Sequence, residues 1–124
     1  MPGYDVTPPP ARLASRVQFR IAFSTDSGEV TRFLAQLEYW RAGEWQEIVR
    51  YDHDSEAAGG HDVEAEGLHR DVFRDGSKYR TELVLEGISA NEALEYAEDD
   101  LRENVERYTQ RFERWHEVDR GKDL

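Results

Sequence analysis

The sequence predicts a two-layer α+β domain, with an antiparallel sheet of about five strands, a three-strand meander plus a hairpin, packed on one long C-terminal helix. Three observations carry this expectation. Apolar and polar residues alternate over residues 16–23, Asp75-Gly76 divides two short strand-like runs, and an apolar stripe at helical spacing reaches from Leu94 to Trp115. At 124 residues the chain has the length of one domain with one core. The expected organisation is a flexible arm over residues 1–14, the domain over 15–117 and a tail over 118–124.

The arm holds Pro2, Gly3 and Pro8-Pro9-Pro10, and a proline run favours extended polyproline geometry without joining a ladder. Val17, Phe19, Ile21 and Phe23 then occupy one face of the first strand and Arg16, Gln18 and Arg20 the other. A turn through residues 24–28 leads to a second strand over residues 30–40, with Phe33, Ala35, Leu37 and Tyr39 on one face. Arg41-Ala42-Gly43-Glu44 turns the chain into a third strand over residues 45–52. An irregular loop follows from His53 to about Gly67, centred on Gly59-Gly60.

Strands over residues 68–73 and 78–85 flank Asp75-Gly76, the preferred pair for a two-residue type I′ turn. With Arg74 opposite Ser77, regular pairing sets Val72 opposite Tyr79, Asp71 opposite Arg80, Arg70 opposite Thr81, His69 opposite Glu82 and Leu68 opposite Leu83. Leu68, Val72, Tyr79 and Leu83 then share a face, and Arg70 lies among them, where a lone charge is costly. Arg70 is therefore expected to meet Asp52 or another carboxylate, or to sit at the sheet's edge.

Ser89-Ala90-Asn91-Glu92 reads as a capping box. Leu94, Ala97, Leu101, Val105, Tyr108, Phe112 and Trp115 form the apolar stripe. Glu98 with Arg102 and Glu103 with Arg107 are helix-stabilising pairs. A helix of about 26 residues would be about 39 Å long, enough to cross the sheet.

Composition sets the environment. There are 27 acidic against 16 basic residues, for a net charge of −11, and only Lys78 and Lys122 among the basic residues are lysine. Self-repulsion on that scale weakens a compact state, and roughly 1 M salt removes it by shortening the screening length to about 3 Å. The composition resembles that of proteins from salt-loving archaea. No cysteine is present, which excludes disulfides and thiolate metal sites. No apolar run approaches the roughly 18 residues of a membrane span, and the N-terminus lacks the apolar core of a signal peptide. A soluble, cytoplasmic protein is expected. Nothing in the charge balance favours a nucleic-acid partner.

The chemistry-bearing residues crowd residues 49–73, which hold His53, His61 and His69 with Arg50-Tyr51-Asp52 and Arg70-Asp71. Zinc would suit the three histidines with Asp52, Asp54 or Asp62, but their even eight-residue spacing is unlike a compact zinc motif. A calcium loop fails at Ala57, where glycine is needed, and at Val63, where glutamate is needed. The expectation is no metal and no cofactor. Metal-independent RNA cleavage is the enzymatic alternative. His53, His61 and His69 would supply base and acid, Arg50 or Arg70 the cation, and Tyr51 a hydrogen bond, with Asp52 nearby. Trp40, Trp45 and Tyr51 could stack on bases, although aromatics on strands more often pack on their neighbours. Leu34, Ile48 and Val84 face away from the helix and suggest a second covered surface, such as a homodimer.

Val49-Arg50-Tyr51-Asp52, His69-Arg70-Asp71-Val72, Asp75-Gly76 and Asn91-Glu92-Ala93-Leu94, followed by a long charged helix, resemble a small domain family of haloarchaea for which no activity is implied. More distantly, the chain resembles the TumE-type proteins of toxin–antitoxin operons, which share a strand ending in Arg-Tyr-Asp or Arg-Trp-Asp before a histidine-bearing loop. The likeness spans roughly residues 17–115. It implies a domain that binds a partner, as a toxin–antitoxin component would, with RNA cleavage as the alternative.

Overall fold

The computed structural model describes residues 3–118. Its α+β fold is a six-stranded antiparallel sheet in sequence order with helices at the C-terminal end. The strands are β1 (Ala11–Ala14), β2 (Val17–Asp26), β3 (Glu29–Arg41), β4 (Glu44–Asp54), β5 (Leu68–Arg74) and β6 (Ser77–Leu85). The helices are a single turn, α1 (Val63–Glu66), then α2 (Ala90–Glu103) and α3 (Val105–Trp115).

The sixth strand comes from the stretch expected to be a free arm. Val6 exchanges two 2.9 Å backbone hydrogen bonds with Phe23, and Ala11–Ala14 pairs with the start of β2. The three prolines bridge these contacts, where their missing N–H groups leave no ladder bond unmade. Of the expected tail, all but Val118 lies outside the described residues.

Ser27-Gly28, Ala42-Gly43 and Asp75-Gly76 all have positive φ at both positions, the geometry that lets a two-residue turn follow the strand twist. The turn at Asp75-Gly76 does place Arg74 opposite Ser77, but a bulge at Tyr79 shifts the register beyond it. Val72 faces Arg80, Asp71 faces Thr81, Arg70 faces Glu82 and His69 faces Leu83. The expected Asp71–Arg80 and His69–Glu82 pairs are thus replaced, because one extra residue moves the next partners by one, and a second at Val84 sets Leu68 opposite Leu85 rather than Leu83. Leu83 joins the face opposite the helices. A second bulge puts Ile48 into the core, and Val84 packs against that core, so of the apolar set expected to face outward only Leu34 keeps its place opposite Asp52.

One sheet face carries Phe19, Phe33, Leu37, Tyr39, Val49, Tyr51, Leu68 and Val72, buried under α2 and α3. The capping box forms as expected, with Glu92 N–H donating to Ser89 Oγ at 3.1 Å and Ser89 N–H donating to Glu92 at 3.0 Å. The expected single long helix is interrupted at Asn104, whose side chain donates to the Asp100 carbonyl and carboxylate. Such local bonding competes with helix propagation. The stripe survives the break, since Ala97, Leu101, Tyr108 and Phe112 are all buried. Glu98 pairs with Arg102 at 3.2 Å, whereas Arg107 donates to the Tyr108 hydroxyl instead. Two buried bonds, Tyr39 to Glu113 at 2.8 Å and Tyr51 to Asp100 at 2.6 Å, fix the helices over the sheet. No helix among the described residues is long and apolar enough to cross a membrane.

Candidate active site

The open face of the sheet bears a cleft of about 660 Å³. It exists because β4 and β5 pair only at Val49–Val72 and Arg50–Asp71. Beyond Arg50 the two strands part, and residues 55–67 fold into the space between them. That segment is held tightly. Asp54 N–H donates to the His61 carbonyl at 2.7 Å. A Cβ added at Gly60 would lie 2.2 Å from the Asp54 carbonyl oxygen, so only glycine fits there.

The acids of this loop are structural as well as solvated. Asp62 caps α1 by accepting from the amides of Glu64 and Ala65, and its own amide donates to Glu66 at 2.8 Å. The Asp62-to-Glu66 spacing was the visible sign of this turn, hidden among acids that read as a halophilic surface. Val63 is thereby driven into the core.

The three histidines divide two to one. His53 is buried, packs over Phe33 and accepts from the Val63 amide at Nδ1 (3.1 Å). Burial holds its pKa below the ordinary imidazole value, against the pull of Asp62 and Glu64. It anchors the loop from beneath. His61 and His69 instead meet in the cleft, with 3.1 Å between His61 Nε2 and His69 Nδ1 and 4.7 Å between ring centres. His61 Nε2 is also 2.8 Å from the Gly67 carbonyl. A carbonyl can only accept, so the proton is on His61 Nε2, and His69 Nδ1 receives it through its lone pair. Glu66 stands 3.5 Å from the other nitrogen of His61.

Arg50 lies in the cleft with Asp52 at 3.3 Å, Glu47 at 3.0 Å and Asp71 at 3.8 Å. Sequence reasoning missed two further cations. Lys78 pairs with Asp71 at 3.3 Å, and Arg32 pairs with Asp54 at 3.5 Å while stacking on Tyr4. Arg32 reaches the cleft through its pairing with Asp54 across β3 and β4, and Lys78 through its place opposite Phe73 in the β5–β6 hairpin.

Tyr51 and Arg70 lie on the opposite, helix-covered face. Arg70 meets carboxylates as expected, though not Asp52: Glu82 is at 2.9 Å and Asp100 at 3.4 Å. It also donates to the hydroxyls of Tyr51 (3.1 Å) and Tyr108 (2.9 Å). Burial weighs against its charge, but Glu82 and the two phenols outweigh burial and raise its pKa. Burial and the bond to Asp100 push Tyr51 far above an ordinary phenol and Tyr108 up to about 12. Of the expected site, then, Arg50, Asp52, His61 and His69 converge, while Tyr51, His53 and Arg70 support the scaffold. Trp40 and Trp45 pack edge to face across their turn at 5.4 Å. Among the described residues no three His, Asp or Glu side chains are grouped to hold a metal ion.

Residues 8–118 match a domain of unknown function, DUF7718, and the chain belongs to that family. Neither the curated proteins nor the solved structures contain a match.

Proposed function

We propose that the domain cleaves RNA without a metal ion, with His61 and His69 as the acid–base pair and Arg50 as the cation beside the reacting phosphate. The supporting observation is the 3.1 Å contact between the two imidazoles in a cleft that Arg50 also lines. Attack by a ribose 2′-oxygen forms its bond to phosphorus as the bond to the 5′-oxygen breaks, leaving a 2′,3′-cyclic phosphate and a 5′-hydroxyl. The histidine pair takes one proton from the 2′-hydroxyl and returns one to the departing oxygen, so no water is consumed. Arg50 meets the charge gathering on phosphorus, with a phosphate displacing first the Asp71 contact at 3.8 Å. The likeness to TumE-type proteins supports a toxin–antitoxin setting, and the acidic, arginine-rich composition supports a haloarchaeal cytoplasm.

The test is cleavage of an end-labelled single-stranded RNA by purified protein in excess chelator. Activity should persist in the chelator and fall about 100-fold or more in His61→Asn and in His69→Asn. A parent protein that never cuts RNA, or histidine variants that cut as fast as the parent, would sink the proposal. In that event the partner-binding reading takes its place. It is favoured by the open edge of β6, where Leu83 and Leu85 are 52% and 36% exposed.

A further inference from the structure

Among the described residues, arginines gather on the otherwise negative surface where the helix-side rim of β6 meets α3. Arg74, Arg80 and Arg111 lie 5.1, 6.0 and 5.2 Å from the centre of the Trp115 ring. Tyr79, 51% exposed at its bulge, is 5.2 Å from the same ring. Arg107 and Arg111 continue the row over Tyr108, at 5.0 and 5.4 Å. Glu82 serves Arg70 and Arg80. Among the described residues Arg74, Arg107 and Arg111 have no carboxylate in ion-pair reach. This contrasts with the cleft, where Arg32, Arg50 and Lys78 are each paired. In a chain with 27 acids, arginines crowded together around Glu82 make a local excess of positive charge. Burial and the neighbouring charge of Arg80 hold Arg111 below the usual guanidinium value, against the pull of Glu82.

We infer that this arginine–aromatic rim binds single-stranded RNA, with bases stacked on Tyr79 and Trp115 and phosphates held by Arg74, Arg80 and Arg111. An exposed ring, Tyr79, beside the half-buried Trp115 and set among guanidinium groups suits a ligand that alternates flat bases with anions. An acidic peptide would use the cations and leave the rings idle. A duplex would keep its bases from the rings. The rim is also well placed for the cleft. Lys78 and Thr81 line the cleft, while Tyr79 and Arg80 belong to the rim. A strand of RNA therefore passes around the β6 edge of the sheet to go from one to the other. The choice of RNA rests on the cleavage reading, but the rim residues are distinct from the histidine site.

Binding is measured by anisotropy of a fluorescently labelled single-stranded RNA 12-mer in a KCl series. The His61→Asn/His69→Asn protein serves as parent, so that the probe stays intact. Tyr79→Ala, at a half-exposed position, should weaken binding about tenfold with little change in salt dependence. Combined Arg74→Gln, Arg80→Gln and Arg111→Gln should weaken it further and lower the slope of log K against log salt by about 2. No binding by the parent, parent-like binding by both variants, or equal binding of poly-glutamate would overturn the inference. RNA held at the rim by a wild-type protein that never cuts it leaves the inference standing and removes the cleavage reading. RNA cut by a protein whose rim variants bind normally does the reverse.

Discussion

Asp100 accepts hydrogen bonds from Tyr51, Tyr108 and Asn104 and lies 3.4 Å from Arg70. Removing one partner from such a buried charged group typically costs several times more than the pair contributes. Arg70 was legible in the sequence as a cation needing a carboxylate. Asp100 was not singled out, although it adjoins Leu101 on the helical stripe, where a charge requires a buried partner. What hid the network is that its members come from β4, β5, α2 and α3. The network has an alkaline signature. Tyr108 ionises near pH 10 in the unfolded chain and at about 12 in the folded one. The unfolded state therefore loses its proton first, and stability falls as pH rises from 10 towards 12. Tyr108→Phe should lower stability at pH 8 by about 2 kcal/mol through lost bonds to charged groups, yet make the loss between pH 10 and 12 shallower. Denaturant melts across that range check both, and an unchanged slope would remove Tyr108 as the cause.

The meander, the turn at Asp75-Gly76 and the capped helix follow from alternation, Asp-Gly and Ser-x-x-Glu patterns. The bulge at Tyr79 and the meeting of His61 with His69 do not. A bulge inserts one residue without changing the alternation enough to be read, and the histidines meet through the fold of residues 55–67. Asn104 is an intermediate case. A poor helix former within the stripe is visible, but its effect depends on the bond it makes back to Asp100. Gly60 tests how far the loop controls the site. Gly60→Ala has nowhere to put its methyl group, 2.2 Å from the Asp54 carbonyl, without moving the backbone beside His61. Cleavage should drop at least tenfold while the melting temperature changes by only a few degrees, because the strained segment is peripheral to the core. Wild-type turnover in this variant would show that the loop does not set the distance between the two imidazoles.

For the whole molecule, charge decides the conditions under which the fold is stable. A net charge of −11 spread over one small domain repels itself over about 10 Å in 0.1 M salt and about 3 Å in 1 M. Raising KCl from 0.1 to 2 M should lift the melting temperature by about 5–10 °C, as a calorimetric series would show. A flat or falling trend would mean that the ion pairs lost to screening matter as much as the repulsion relieved.

The strand order carries a consequence for how the chain reaches this state. Every strand lies beside its neighbour in sequence, and four of the five connections are two residues long. Each pairing therefore closes a short loop and gives up little chain entropy before contacts repay it. Zippering of β2 to β3 and β3 to β4 is a local event, open to rapid formation from either turn. The join between β4 and β5 differs, since only two residue pairs hold it and thirteen residues, 55–67, separate Asp54 at the end of β4 from Leu68 at the start of β5. Docking of the last hairpin then waits for that gap and the two helices to assemble together. The late-forming junction is the one that brings His69 to His61, so the imidazole pair of the cleft is completed only when the chain has finished folding.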